Sequence, residues 1–580
     1  MYRLAVLFGT AVVLPWVAAS AVNATEIEHV EPPFWWQGFE HRELQLMVHG
    51  DGIADFEPMV ELDGVAVAQV VRTSNPNYLF VYLTIDPSAP TGDFDIVFSN
   101  DGETLTHRYS LLERNTDPGH VEGFTAADVI YLITPDRFAN GDPSNDSVEG
   151  YADPPDRSEP YGRHGGDIAG LEASLDYIAD MGFTQIWLNP LLENAMDDAS
   201  YHGYATTDFY KVDPRYGSNE SYRDFVAAAR GKGVGVIMDI IPNHMGSGHW
   251  WMDDLPTGDW LNYQDDFILT THARTSHQDP YAAEIDKQEH TGGWFAPTMP
   301  DLNQTNALLG DYLVQNAIWW VEYLGLSGIR IDTYPYPDKD YMTEWTRRIM
   351  REYPDINMVG EEWSPNPNVV SYWQAGKDNH DGYRSYLPSV FDFPLQIALS
   401  EALTGEEKAW GSVWTPVYEM LGNDYLYPDP FNLVIFPDNH DMSRIYTQLD
   451  EDVDLTRMSI AFYLTMRGIP QIYYGTEILM SHPGTDSHGA IRADFPGGWE
   501  GDRVNAFTGR GLNRDASDMQ EYTKKLLNWR KQTPVVHTGK LMHFAPVRNV
   551  YAYFRYDDDD TVMVIFNRGD DAATVDMQRY

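Results

Sequence analysis

The chain has 580 residues, 43 % of them hydrophobic and 13 % aromatic, which fits an ordered globular protein of several domains and not a disordered one. Its 88 acidic against 39 basic residues leave a formal charge of −49, which excludes nucleic acid and anionic membrane surfaces as partners, because both demand positive patches. With no cysteine there is no disulfide. The acidity itself fits a solvating shell suited to salty surroundings, with recruitment of cations or of a basic partner as the alternative.

In chain order, residues 1–24 read as an export signal: Arg3, an apolar run from Leu4 to Ala19, then small residues at Val22 and Ala24. The run is short for a membrane span and no later stretch is longer and apolar. Such a segment implies a mature protein that starts near Thr25, is periplasmic or extracellular, and has no membrane contact once the signal is removed. Residues 25–117 carry alternating strand-like runs between Gly, Pro, Asp and Asn turns, as expected of an immunoglobulin-like β-sandwich. Its "PPFWWQGF" (Pro32 to Phe39) lays down tryptophans that either pack on a neighbouring domain or bind sugar.

From 118 to 515 the pattern changes to apolar runs alternating with amphipathic helices. Eight runs follow in series: "VIYLITP", "TQIWLNP", "VGVIMDI", "GIRID", "MVGE", "SVFDFP", "LVIFPDN" and "IPQIYYGTE". Between the second and third, Tyr222, Phe225, Val226 and Ala229 fall at i, i+3, i+4 and i+7, the buried stripe of a helix. Eight such units predict an α/β fold, a (β/α)₈ barrel. In "GKGVGV" the glycines follow a helix and precede a strand, so they end a helix and do not cradle phosphate. One connection, residues 245–303, is too long for a barrel loop and predicts an inserted subdomain over the third strand. Residues 516–580 hold the last barrel helix and a third, β domain, built on "VYAYFRYDDDDTVMVIFN" and shorter than expected, as if truncated.

Barrels of this kind collect functional groups at the carboxyl ends of their strands. Here those ends are charged: Asp239 with Asn243 and His244 on strand three, Arg330 and Asp332 on strand four, Glu361 or Glu362 on strand five, and Asn439, His440 and Asp441 on strand seven. A lone Asp at a strand end is more often a helix cap or an ion-pair partner. Several acids converging on one point are too costly to bury for stability alone. Arg330 is placed to hold Asp332 ionised, as a nucleophile requires, while a carboxyl one βα unit later could keep its proton and act as an acid. Two carboxyl groups in those states cut glycosidic bonds with retention. Strand alternation lets only one of Glu361 and Glu362 face the lumen, without saying which. His202, Tyr204 and Tyr210 in "YHGYATTDFY", with Tyr334 and Tyr336 after strand four, offer aromatic faces for sugar rings or else core packing. In "FANGDPSNDS", Asn140, Asp142, Asn145 and Asp146 cluster hard oxygen ligands suited to Ca²⁺, or simply build an Asx-rich turn.

The segments "DIIPNH", "GIRID", "VGEEW" and "FPDNHD", in that order, with "MPDLN" beside them, resemble the signature regions of the α-amylase family of glycoside hydrolases. With "PPFWWQGF" ahead of the barrel, the chain resembles in particular the exported bacterial cyclomaltodextrinases and neopullulanases. The resemblance implies a retaining hydrolase of α-1,4-glucosidic bonds in cyclodextrins, pullulan or starch-derived oligosaccharides. It makes Asp332 the nucleophile, Asp441 the transition-state stabiliser and, through a Gly-Glu-x-Trp pattern, Glu361 the acid/base. His244, Arg330 and His440 would contact the sugar in the cleaved subsite and Tyr204 would stack beneath it. It also adds Gly165 and Asp167 of "HGGDIAG" to a structural Ca²⁺ site. Two alternatives are an α-glucan transglycosylase using the same acids and a non-catalytic sugar- or partner-binding member. A homodimer is a further expectation.

Overall fold

The computed structural model describes residues 26–264, 266–406 and 411–580, so the signal-like run at 1–24 lies outside the described residues. All eight predicted runs form parallel strands: β1 Ile130–Ile133, β2 Gln185–Leu188, β3 Gly235–Ile240, β4 Gly328–Ile331, β5 Asn357–Gly360, β6 Ser389–Val390, β7 Val434–Ile435 and β8 Ile469–Tyr473. Their spatial order is β6-β5-β4-β3-β2-β1-β8-β7, and a parallel bridge from Phe391 to Val434 closes the ring. The strands are buried on both faces because helices cover the outside and side chains fill the lumen, which is why they read as apolar runs without alternation. Among the described residues no helix is long and apolar enough to cross a membrane.

Local chemistry sets the connections. The helix Asn219–Gly231 starts with a capping box between Ser218 and Ser221 and buries Tyr222, Phe225, Val226 and Ala229, the stripe expected of it. It stops at Gly231; Gly233, at φ +74°, then turns the chain into β3, so the glycines of "GKGVGV" do end a helix.

Ahead of the barrel, two four-stranded sheets form the predicted sandwich. Trp35 and Trp36 are buried, and Phe34 and Trp36 pack on Trp319 of the helix Ala307–Leu324. The domain-packing role of "PPFWWQGF" therefore holds and its sugar-binding role does not. Within the inserted segment 245–303 the described residues form two 3₁₀ turns, Trp250–Met252 and Arg274–His277, and one helix, Glu284–Thr291, before the helix Ala307–Leu324 leads into β4. After the helix Arg514–Lys531, three antiparallel strands, Lys540–His543, Val550–Tyr556 and Thr561–Asn567, lay Tyr551, Tyr553 and Phe566 on a second core with Trp414 and Phe462.

Candidate active site

Register decides what meets at the end of the barrel. Pairing of β3 with β4 sets Asp239 beside Arg330, and β4 with β5 sets Arg330 beside Val359, one turn of pleat below Glu361. The Arg330 side chain is 1 % exposed and touches three acids. Its Nη1 donates to Asp239 at 2.9 Å and to Asp332 Oδ1 at 2.7 Å, and its Nη2 lies 2.7 Å from Glu361 Oε2. Asp332 and Glu361 are thus no farther apart than the two prongs of one guanidinium allow. Next to them Thr333 sits at φ +44°, a left-handed conformation that costs a β-branched residue about 1–3 kcal/mol. That twist lets Thr333 donate its N–H to Glu361 Oε2 at 3.1 Å and its hydroxyl to Asp332 Oδ2 at 3.2 Å.

A second set comes from β7. His440 Nε2 lies 2.9 Å from Asp441 Oδ2 and 2.7 Å from the Tyr204 hydroxyl, whose ring stacks on the imidazole at 4°. Arg492 donates to Asp441 Oδ1 at 2.6 Å. The Tyr204 hydroxyl also donates to Asp239 at 2.9 Å, so the two sets share one polar network. His244 Nε2 lies 3.2 Å from the Tyr204 carbonyl, and its ring stacks near Phe295.

The electrostatics differ from acid to acid. Burial pushes the Glu361 carboxyl up to about 8; the Arg330 cation opposes this, and the nearby Asp332 and Asp441 reinforce it. Burial likewise takes Asp239 up to about 7 against the pull of Arg330. For Asp441 burial works in the same direction, but His440 and Arg492 overcome it and hold the carboxyl far below the ordinary range. Burial keeps the His440 ring below its usual value.

A cavity of about 400 Å³ opens over these groups. Tyr204, His244, Asp332, Glu361 and Asp441 line it, whereas Arg330 and His440 stand just behind the wall. Of the other aromatic candidates, His202 and Tyr336 reach the cavity. Tyr334 does not: it is buried edge-on against Trp373. Nor does Tyr210, which packs between Tyr312 and Trp319. Glu362 points away and is buried beside Trp373. Sequence reasoning missed Arg274, Phe295, His488 and Arg492 in the wall, because they come from turns, irregular segments or, for His488, a four-residue helix, none long enough for periodicity to mark a facing. Trp363, also in the wall, stood inside the "VGEEW" motif and carried the one available signal.

The Asx-rich loop is a separate feature. Asn140 Nδ2 donates to Asp146 Oδ1 at 2.8 Å, and Gly165 is so close that a β-carbon there would fall 2.6 Å from the same oxygen. Asn140 Oδ1 and Asn145 Oδ1 are buried without a hydrogen-bond partner. Asp167 behaves otherwise: its carboxylate caps a helix at Gly170 N and accepts from Gly141 N and Asp142 N. Asp142 Oδ1 is taken up by Ser144. Among the described residues no three His, Cys, Asp or Glu side chains are arranged to hold a metal by themselves.

Comparison with known proteins agrees with this geometry. The alpha amylase catalytic domain family matches residues 132–535, the cyclomaltodextrinase N-terminal family residues 29–115 and the cyclo-malto-dextrinase C-terminal family residues 541–580. The chain is 30 % identical to neopullulanase 2 of Thermoactinomyces vulgaris over 78 % of its own length and 71 % of that protein's. It is 27 % identical to the intracellular maltogenic amylase of Bacillus subtilis strain 168, over 82 % of this chain and 76 % of that one. In structure it is similar to the alpha-amylase of Geobacillus thermoleovorans complexed with acarbose, at a TM-score of 0.62 and 27 % identity over 77 % of this chain and 88 % of that one. The expectation of an exported protein is corrected here: the Bacillus relative is named as intracellular. A short apolar run behind one arginine is too generic a pattern to outweigh kinship across most of the chain.

Proposed function

This chain belongs to the α-amylase family and is an α-glucan glycoside hydrolase, and from that footing we propose that it cleaves α-1,4-glucosidic bonds in cyclodextrins, pullulan and starch-derived oligosaccharides with retention of configuration. One observation carries the proposal: a single buried guanidinium clasps both Asp332 and Glu361 at 2.7 Å on the floor of the cavity. Asp332, ion-paired and facing the cavity, attacks the anomeric carbon. Glu361, pushed up to about 8 by burial, gives its proton to the departing oxygen and then takes one from the incoming water. Asp441, kept charged by His440 and Arg492 and 25 % open to the cavity, stabilises the positive charge that develops on the sugar. The Tyr204 ring forms a platform beneath it, with His244, Arg330 and His440 as the remaining polar contacts.

Proton NMR of early maltotetraose digestion tests this: the α-anomer appearing first is expected, and the β-anomer first would overturn it. With maltotriose as sole substrate, early formation of longer oligomers would move the assignment to a transglycosylase using the same acids.

Two lesser proposals accompany it. A structural Ca²⁺ at Asn140, Asn145, Asp146 and the Gly165 backbone, with Asp142 and Asp167 beside it, is supported by the two buried amide oxygens without partners. Hard oxygen donors of this kind bind a hard cation that ties the loop to the barrel. A thermal midpoint unmoved by chelator would end that proposal. A homodimer, expected from the resemblance alone, is ended by a monomer mass in light scattering.

A further inference from the structure

The insertion between β3 and β4 sends one cation into the cavity. Arg274 opens the 3₁₀ turn Arg274–His277, and its side chain, 28 % exposed, forms part of the wall. The nearest acid is Glu362, with 3.6 Å from Arg274 Nε to Glu362 Oε1, an ion-pair contact too long to be a hydrogen bond. Glu362 itself is fully buried; its Oε2 accepts from Trp373 Nε1 at 3.0 Å, while its Oε1 has no hydrogen-bond partner.

The backbone that carries Arg274 is fastened from other directions. His277 Nε2 lies 2.6 Å from the Pro335 carbonyl and His290 Nε2 3.2 Å from the same oxygen. His272 Nδ1 lies 2.9 Å from the Tyr336 hydroxyl, and His380 Nε2 2.7 Å from the Gln278 carbonyl. The turn is therefore pinned to the loop after β4, yet it presents a partly exposed guanidinium to the cavity wall. A fork of fixed donors on a rigid support suits a ligand with paired acceptor oxygens.

We propose that Arg274 is a specificity-determining residue, donating hydrogen bonds to hydroxyls of the glucose unit on the leaving-group side of the scissile bond, and that Glu362 is the positioning residue that aims it. The side follows from the chain. Glu361, which protonates the leaving oxygen, shares the cavity wall with Arg274 and with Tyr336, the ring to which His272 ties the turn. Asp441, by contrast, is tied to His440 and Arg492. The ligand class follows from charge: Asp332 and Asp441 share the cavity with Arg274, so an anionic sugar is repelled while a neutral polyol is not. The proposal rests on the retaining-hydrolase reading of the site.

The test compares maltotetraose with α-maltosyl fluoride, whose leaving group is a single halide with no sugar for Arg274 to hold. For Arg274→Met, the loss in kcat/KM on maltotetraose should exceed the loss on the fluoride by about tenfold or more. Arg274→Lys should recover part of that excess. Glu362→Gln should show a smaller excess in the same direction, carried by KM more than by kcat. Fluoride turnover reports that the fold and the Asp332 step are intact in each variant. Equal losses on both substrates in the Met and Lys variants would overturn the proposal. A wild-type protein that releases β-maltose first from the α-fluoride would instead overturn the retaining reading itself, and this proposal with it.

Discussion

Two buried ionic networks lie within this barrel, built from the same residue types and behaving oppositely. In one, Arg137, Arg163 and Arg215 surround Asp136 and Asp213, all fully buried. Arginines outnumber acids there, and most surplus donors go to backbone carbonyls such as those of Gly162, Arg492 and Asn194, Arg163 Nη2 alone of the three guanidiniums' outer nitrogens being buried without a partner. In the other, Arg330 alone serves Asp239, Asp332 and Glu361. The consequence shows in the carboxyls. Burial acts on Asp213, but Arg215 and Arg163 outweigh it and hold it below its usual value; burial pushes Glu361 up to about 8 and Asp239 up to about 7. A network with cations to spare is finished and structural. One that is short of cations carries acid protons and excess negative charge into an open cavity, which is the condition a cationic transition state can use.

Substitutions can break this contrast in order of severity. Asp332→Asn should lower kcat on maltotetraose on the order of 10⁴-fold or more, and a rate close to wild type would remove Asp332 from the chemistry. Glu361→Gln should cost about 10²–10⁴-fold on the same substrate, with a milder loss on α-maltosyl fluoride, which needs less proton assistance. In the structural network Asp213→Ala leaves arginines buried without a counter-charge, and urea unfolding should register a loss of about 3–5 kcal/mol. Asp239→Asn, which relieves an overcrowded site and keeps an acceptor for Tyr204, should cost less than about 1 kcal/mol; a loss as large as that of Asp213→Ala would erase the distinction.

The pH dependence should separate the networks more gently. Activity should fall as pH rises through about 8, where Glu361 loses the proton it donates. For stability the signs oppose. Glu361 and Asp239, raised in the folded state, contribute fully below the ordinary carboxylate range and lose that contribution as pH climbs toward their folded values. Asp213, lowered on folding, contributes above that range and loses its contribution on acidification. Thermal midpoints of wild type, Asp239→Asn and Asp213→Ala from about pH 2 to 9 check both signs.

Much of the molecule was legible because the relevant signals are local. Doubly buried strands must be apolar, so even β6 and β7, two residues long, stood out as runs. Charges at the ends of such runs are rare enough to notice, which is how Arg330, Asp332, Asp441 and the pair Glu361/Glu362 stood out, the Gly-Glu-x-Trp resemblance then choosing Glu361. Alternation failed just past β4. Tyr334 and Tyr336 are two apart and would share a face on a continuing strand, but the left-handed turn at Thr333 ends the strand and sends one ring to Trp373 and the other to the cavity. Arg274 and Arg492 were illegible for a related reason: they come from segments without a period, and only folding brings them to the acids.

The sequence by itself determined the element types and the eightfold repeat and put charged candidates at the strand ends, since burial and backbone preference act over a few neighbouring residues. Tertiary structure alone decided how strongly each carboxyl is dehydrated, which aromatic rings face the cavity and how many carboxylates one arginine must serve. Those outcomes depend on dehydration and on charges brought together from strands hundreds of residues apart along the chain.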